Sequence, residues 1–131
     1  AIHYLLLKKG VKKIVIINKT KRKIKFSNKI QFTQNISAIK KNIETASLII
    51  NATPKNPINK NLAKLVKKTT ILSDVVYKPK ETIFLKQFPK NKKTYGISML
   101  IQQAVPCFKI WFGITPSVDS ELIKKLNKEI R

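Results

Sequence analysis

The chain is poor in the residues that make several protein classes easy to recognise. It has one cysteine, Cys107, and one histidine, His3. An internal disulfide needs two cysteines, so none closes within the chain, and a lone thiol fits a reducing compartment such as the cytoplasm. A single histidine excludes a His-based metal cluster. Only three glycines occur, Gly10, Gly96 and Gly113, so there is neither a Gly-x-Gly phosphate turn nor a Gly/Ser-rich linker. No apolar run approaches the ~18–20 residues that span a bilayer, and no secretory signal pattern is present.

Acidic residues are also scarce, six against 28 basic ones, for a formal net charge of +22. Such a charge invites a nucleic-acid reading, which the kind of charge argues against. Only Arg22 and Arg131 are arginines; the remaining basic residues are lysines spread from Lys8 to Lys128. Lysine, isoleucine and asparagine together supply 56 of the 131 residues, a bias that looks like drift towards A/T-rich codons. Specific readers of nucleic acid usually add arginine forks and exposed aromatics. The expectation is therefore a solvated lysine surface, with no specific nucleic-acid partner and no membrane partner.

At 131 residues, 43% of them hydrophobic, the chain is one domain's worth of material and can bury a core. Residues 1–9 read as the later turns of a helix that Gly10 caps. The β-branched runs KIVIIN (13–18), SLIIN (47–51) and TILSDVV (70–76) read as buried parallel strands. Residues 19–34 are poorly patterned, with a short helical turn and a weak strand near 29–32. Ile36, Ile39 and Ile43 repeat at helical spacing. Asn59 or Asn61 is placed to cap a short helix, and another short helix is expected near 81–87. A strand stub at 94–95 precedes a helix from Gly96, which Pro106 should bend. A last helix runs over 117–130, with Ser117 or Asp119 as its cap and Leu122, Ile123, Leu126 and Ile130 as its apolar stripe. This alternation predicts a mostly parallel sheet with helices on both faces.

Two features point to function. Asn18, Asn51 with Thr53, Tyr77 and Gly96 all fall at the C-terminal ends of strands, the edge where open α/β sheets bind ligands. The second is YGISMLIQQAVPCFKIWFGITP (95–116). At about 100° per residue, Ser98, Gln102 and Lys109 make a polar stripe, while Gln103 points among Met99, Leu100, Cys107 and Ile110. An amide on an apolar face needs hydrogen-bond partners. Backbone groups or the hydroxyls of a ligand would both serve. Gly96 permits either close backbone approach or positive φ.

In order, NKTKRK (18–23), LIINATP (48–54), DVVYKPKETIFL (74–85) and GISMLIQQAVPCFKIWFGITP (96–116) resemble the C-terminal half of shikimate dehydrogenase over nearly the whole chain. The resemblance implies an α/β, partial Rossmann-like, doubly wound NADP-binding domain over residues 1–95, with C-terminal helices over 96–131. The implied activity is reversible NADPH-dependent reduction of 3-dehydroshikimate to shikimate, in chorismate and aromatic amino-acid biosynthesis. Asn18, Lys19, Thr20 and Lys23 then correspond to positions that hold the adenosine ribose and its 2′-phosphate, with Lys19 in place of the family's arginine. Ala52, Thr53, Val75 and Gly96 correspond to positions along the cofactor. Tyr77 and Gln103 correspond to substrate-binding positions. Asn56-Pro57 departs from the family's Gly-Met after the Asn-Ala-Thr-Pro motif.

Two family features have no counterpart in the chain: the Gly-rich pyrophosphate turn, and a catalytic Lys–Asp pair carried by a separate N-terminal domain. The resemblance thus implies a fragment, inactive alone and with no catalytic residue of its own, whose partner is that N-terminal domain. Asp74 reads as a structural strand-end acid. A monomer or a homodimer would fit equally. A non-catalytic dinucleotide-binding module, or an NAD-using quinate/shikimate relative, is the alternative.

Overall fold

A computed structural model describes residues 2–20 and 28–130. Residues 21–27, part of the poorly patterned 19–34 stretch in which a short helical turn is expected, lie outside the described residues, and Lys23 with them. The chain divides into two compact units, Ala1–Thr45 and Ala46–Arg131.

The first unit begins with helix α1 (Ile2–Lys8). It ends in a hydrogen-bonded cap of the Schellman type: Gly10 N–H donates to Leu7 O and Val11 N–H to Leu6 O. Gly10 sits at φ 80°, a conformation that a side chain would strain. Strands β1 (Ile14–Ile17) and β2 (Ile30–Thr33) pair in parallel, Ile14 opposite Ile30 and Ile17 opposite Thr33. Helix α2 (Ile36–Thr45) starts where Asn35 Oδ1 accepts the Ala38 N–H at 3.0 Å. Among the described residues of this unit, Ile30 and Ile43 are the buried side chains. β1 was expected to be buried. Instead Ile14 to Ile16 are half-buried and Ile17 is exposed, so the described residues cover the faces of this strand only in part.

The second unit holds a three-stranded parallel sheet in the order β3 (Leu48–Asn51), β4 (Ile71–Asp74), β5 (Lys93–Thr94). Short helices α3 (Lys60–Ala63) and α4 (Ile83–Lys86) follow β3 and β4. Asn59 caps α3, its side chain accepting from Leu62 N–H, and Thr82 does the same for α4 through Leu85 N–H. The longer α5 (Gly96–Phe112) and α6 (Ser120–Glu129, capped by Asp119) complete the unit. Leu72, in the central strand, is fully buried with Phe84 and Leu85, and Phe84 meets Phe88 edge-on at 5.6 Å between ring centroids. Ile58, Ile97 and Ile130 close this core, with Ile130 O accepting from Lys80 N–H at 2.7 Å.

β4 is shorter than the seven-residue run suggests, for a local reason. The N–H of Val76 donates to Asp74 Oδ1 at 3.0 Å, so a side chain takes the backbone donor and the ladder stops. β3 is also less buried than expected, since Leu48 is exposed. Among the described residues, no helix is long and apolar enough to cross a membrane, and no cluster of metal-ligating side chains occurs.

Gly96 resolves a choice that its sequence position left open. Its φ is not positive; an added Cβ would lie 2.5 Å from Val75 O and 2.6 Å from Val76 O. The glycine is there for close approach of α5 to the exit of β4. Gly96→Ala should therefore push α5 from Val75 and Val76 and cost about 1–3 kcal/mol, the usual range for overpacking, read as a lower denaturant midpoint. Lys93 donates to Glu81, and this hydrogen bond holds the Glu81 carboxyl below its ordinary pKa, against a smaller opposing effect of burial and with help from the Lys93 and Lys86 charges. A lowered carboxyl stabilises the fold above its unfolded pKa, and that contribution fades as pH falls through the lowered value. Lys93→Met should thus flatten the acid limb of a stability-versus-pH curve below about pH 5, measured by urea denaturation.

Candidate functional site

The C-terminal edge of the second sheet is built on one ladder pair. Asn51 and Asp74 end β3 and β4 and face each other in register. Both are buried, at 3% and 2% exposure, so their polar atoms must be satisfied within the protein. Asn51 Nδ2 lies 3.2 and 3.3 Å from the two Asp74 carboxylate oxygens, and 3.2 Å from Lys55 O. Thr82 Oγ1 donates to Asp74 Oδ2 at 2.6 Å while accepting from Leu85 N–H. On the other side, Asn51 Oδ1 accepts from Thr53 N–H at 3.0 Å. The Thr53 hydroxyl lies 2.8 Å from Asn51 Oδ1 and 2.9 Å from Lys55 O, and donates to one of them.

Beside this network lies an open hollow of about 440 Å³, walled on one side by Ala52, Thr53 and Pro54 and on the other by Val75 to Lys78. The walls are the two loops that leave β3 and β4, and their residues are apolar except for Thr53, Tyr77 and Lys78. Tyr77 is 44% exposed. Four residues singled out from the sequence, Ala52, Thr53, Val75 and Tyr77, meet here. Gly96 backs onto the same loop through its approach to the Val75 and Val76 carbonyls.

The remaining predicted residues are placed differently. Asn18, Lys19 and Thr20 follow β1 in the other unit and are exposed, with the Asn18 and Lys19 carbonyls accepting from Gln34 Nε2. Gln103 does not line the hollow. The sequence suggests an amide that must find partners within an apolar face. In the structure Gln103 is exposed, as are Met99, Cys107 and Ile110 around it, so water satisfies it. Nothing among the described residues covers that side of α5.

Sequence reasoning missed Thr82, Pro54 and Lys78, and it treated Asn51 and Asp74 separately. A usable signal was present: two apolar runs, LIIN and ILSD, each end on a short polar side chain. Residues that end adjacent parallel strands sit side by side.

No family model matches the chain. It does align with shikimate dehydrogenase (NADP(+)) from Bartonella quintana at 32% identity, covering 99% of this chain and 50% of that protein. The enzyme of the same name from Bartonella tribocorum is 36% identical over 93% of this chain and 47% of its own length. Among solved structures, shikimate dehydrogenase from Aquifex aeolicus superposes with a TM-score of 0.71 at 28% identity, over 94% of this chain and 47% of that one. The Thermus thermophilus enzyme, solved in complex with NADP(H) and shikimate, gives 0.71 at 20% identity, over 98% of this chain and 49% of that one, a likeness of fold alone. The fold is thus that of the Rossmann-like domains of these dehydrogenases. The chain spans about half the length of the curated relatives it matches. Over nearly its whole length it is a homologue of the shikimate dehydrogenases, aligned with their C-terminal part.

Proposed function

We propose that the chain supplies the cofactor-binding half of a shikimate dehydrogenase, and that the hollow between Ala52–Pro54 and Val75–Lys78 receives part of a nicotinamide dinucleotide. The observation that carries this reading is the convergence of Ala52, Thr53, Val75 and Tyr77 on one hollow at the C-terminal sheet edge. That edge is where open α/β sheets take their ligands. In this reading residues 1–95 form the cofactor domain and residues 96–131 its C-terminal helices. Thr53 and Gly96 lie along the cofactor, Val75 offers an apolar wall to the nicotinamide, and Tyr77 and Gln103 reach the substrate. When bound, the dinucleotide supplies the hydride; the chain's own residues bind, orient and exclude water.

NADP is the preferred form because Lys19 and Lys23 offer positive charge to a 2′-phosphate, where a carboxylate would favour the NAD ribose. A lysine lacks the bidentate fork of arginine, so its contribution is that of a point charge. The reaction is reduction of 3-dehydroshikimate to shikimate, and the residues that move the proton belong to the half of the relatives that this chain does not match. Alone, the chain is inactive; turnover of dehydroshikimate with NADPH by the isolated chain would overturn that statement.

Titration with NADPH and NADH, followed by calorimetry or nicotinamide fluorescence, tests the cofactor reading, with NADPH the tighter ligand. Lys19→Ala should weaken NADPH roughly three- to tenfold, as expected for an exposed charge-assisted contact, and leave NADH unchanged. In an assembly that turns over, Tyr77→Phe should raise the KM for dehydroshikimate about tenfold or more, since a hydrogen bond to a charged group is worth about 1.5–3 kcal/mol. An unchanged KM would remove Tyr77 from the substrate site.

A further inference from the structure

The two walls of the hollow are held in different ways. On the Val75–Lys78 side, Asp74 Oδ1 accepts the Val76 N–H, Gly96 backs onto the Val75 and Val76 carbonyls, and Lys80 N–H reaches Ile130 O. The Ala52–Pro54 side has no such set of attachments. Residues 52–57 are all exposed, so packing does little to fix them. Among the described residues, the hydrogen bonds of residues 52–55 run to the Asn51 side chain, or from Thr53 to Lys55 within the loop itself.

Asn51 is the opposite case, 3% exposed at the end of β3. Its amide serves two points of the loop at once. Oδ1 accepts the Thr53 N–H at 3.0 Å, closing a turn to the second residue on, and Nδ2 donates to Lys55 O at 3.2 Å, closing one to the fourth. The same Oδ1 lies 2.8 Å from the Thr53 hydroxyl. These closures also settle which way round the amide sits, since its donor must meet a carbonyl and its acceptor an N–H. Between the two held residues stands Pro54, whose ring fixes its own φ and disfavours helical backbone at Thr53. An aspartate at position 51 would only accept and would leave Lys55 O without its donor. A serine hydroxyl is placed for the N–H two residues on, but is too short to reach Lys55 O as well.

We infer that Asn51 is a positioning residue for the cofactor site: the Ala52–Lys55 loop is wrapped round its amide, which thereby sets where Ala52, Thr53 and Pro54 stand at the hollow. Asn51 does not itself line the hollow and acts only through the loop. The link to cofactor rests on the dehydrogenase reading above; the wrapping of the loop does not.

Asn51→Leu is the direct test, since leucine has nearly the shape of asparagine without its polar ends. It strands no polar group in the interior: Thr53 and Lys55 are exposed and turn to water, and Asp74 keeps the Val76 N–H and the Thr82 hydroxyl. Asn51→Ser separates the two ends of the amide, keeping an acceptor for Thr53 and dropping the donor to Lys55. Amide hydrogen exchange and backbone nitrogen relaxation of the ligand-free full chain read the loop. The control is Val75 N–H, which donates to the main-chain carbonyl of Asn51 at 3.0 Å and so reports the strand end independently of the side chain.

In Asn51→Leu, Thr53 N–H should exchange at least about tenfold faster and residues 53–55 should become mobile, with Val75 unchanged. In Asn51→Ser, Thr53 should stay within about threefold of wild type while Lys55 becomes as mobile as in the leucine variant. An unchanged Thr53 in Asn51→Leu, or a Val75 accelerated as much as Thr53, would overturn the assignment. So would serine and leucine variants that behave alike at Thr53, because the acceptor would then not be what holds the loop. If Asn51→Leu does not fold, Asn51→Ser decides alone: a mobile Lys55 beside a protected Val75 supports the wrapped loop, and an unfolded protein or an unmoved Lys55 overturns it. NADPH titration of the same chains is the second arm. Affinity lost roughly fivefold or more in Asn51→Leu, with Val75 still protected, supports the positioning role, because a loosened wall must be ordered on binding. Unchanged affinity overturns that role. If wild type binds no NADPH, the cofactor reading fails, while exchange and relaxation still decide the loop.

Discussion

The buried carboxylate of Asp74 is the constraint on which this sheet edge depends. Burying such a group without partners is costly, so the surrounding residues are committed to satisfying it. Its donors come from the Val76 backbone, the Thr82 hydroxyl and the Asn51 amide, which belong to the exit of β4, the start of α4 and the end of β3. Three segments that would otherwise be independent loops thereby share one anchor. The apolar core below, with Leu72 of the central strand and Phe84 of α4 fully buried, provides the bulk of the burial but no such directional instruction.

The same division of labour explains why the site has the shape it has. The hydrophobic side chains decide that β3 and β4 lie side by side; the polar network decides where the strands end and how the loops leave. Gly96 adds a steric condition at the start of α5, since its missing side chain is what lets the helix begin against the Val75 and Val76 carbonyls. The hollow is consequently bounded by backbone held from three directions, while its surface remains open to solvent.

Much of this was readable in the sequence, and the parts that were not share a cause. Short β-branched runs place the strands, Asn59 and Asp119 are each one of two cap candidates, and Gly10 ends the first helix, because these are local effects that depend on a few neighbouring residues. That Thr53 and Tyr77 meet also followed, since strand ends in a parallel sheet share an edge, whereas Ala52 and Val75 were expected beside them only through the family resemblance. The extent of burial did not follow. KIVIIN has the composition of a buried strand yet is half-covered, and Gln103 sits on an apolar stripe that stays in solvent. Periodicity tells which residues share a face, but what covers that face is a tertiary fact. The Asp74 network was hidden for a similar reason: Asn51 and Asp74 are ordinary strand-end residues and Thr82 an ordinary cap until the ladder register and the Thr82 hydroxyl join them.

The parallel pairing of β3 with β4 has a kinetic side. Asn51 and Asp74 are 23 residues apart in the chain, and no hairpin brings them together; the segment carrying α3 must first fold back over its own length. Closing such a loop costs entropy before any contact repays it, which makes parallel pairings late events in folding. Neither wall of the hollow has its hydrogen-bonded form until that closure is made. The site therefore cannot ripen piecemeal: it is assembled in the same step that commits β3 and β4 to each other.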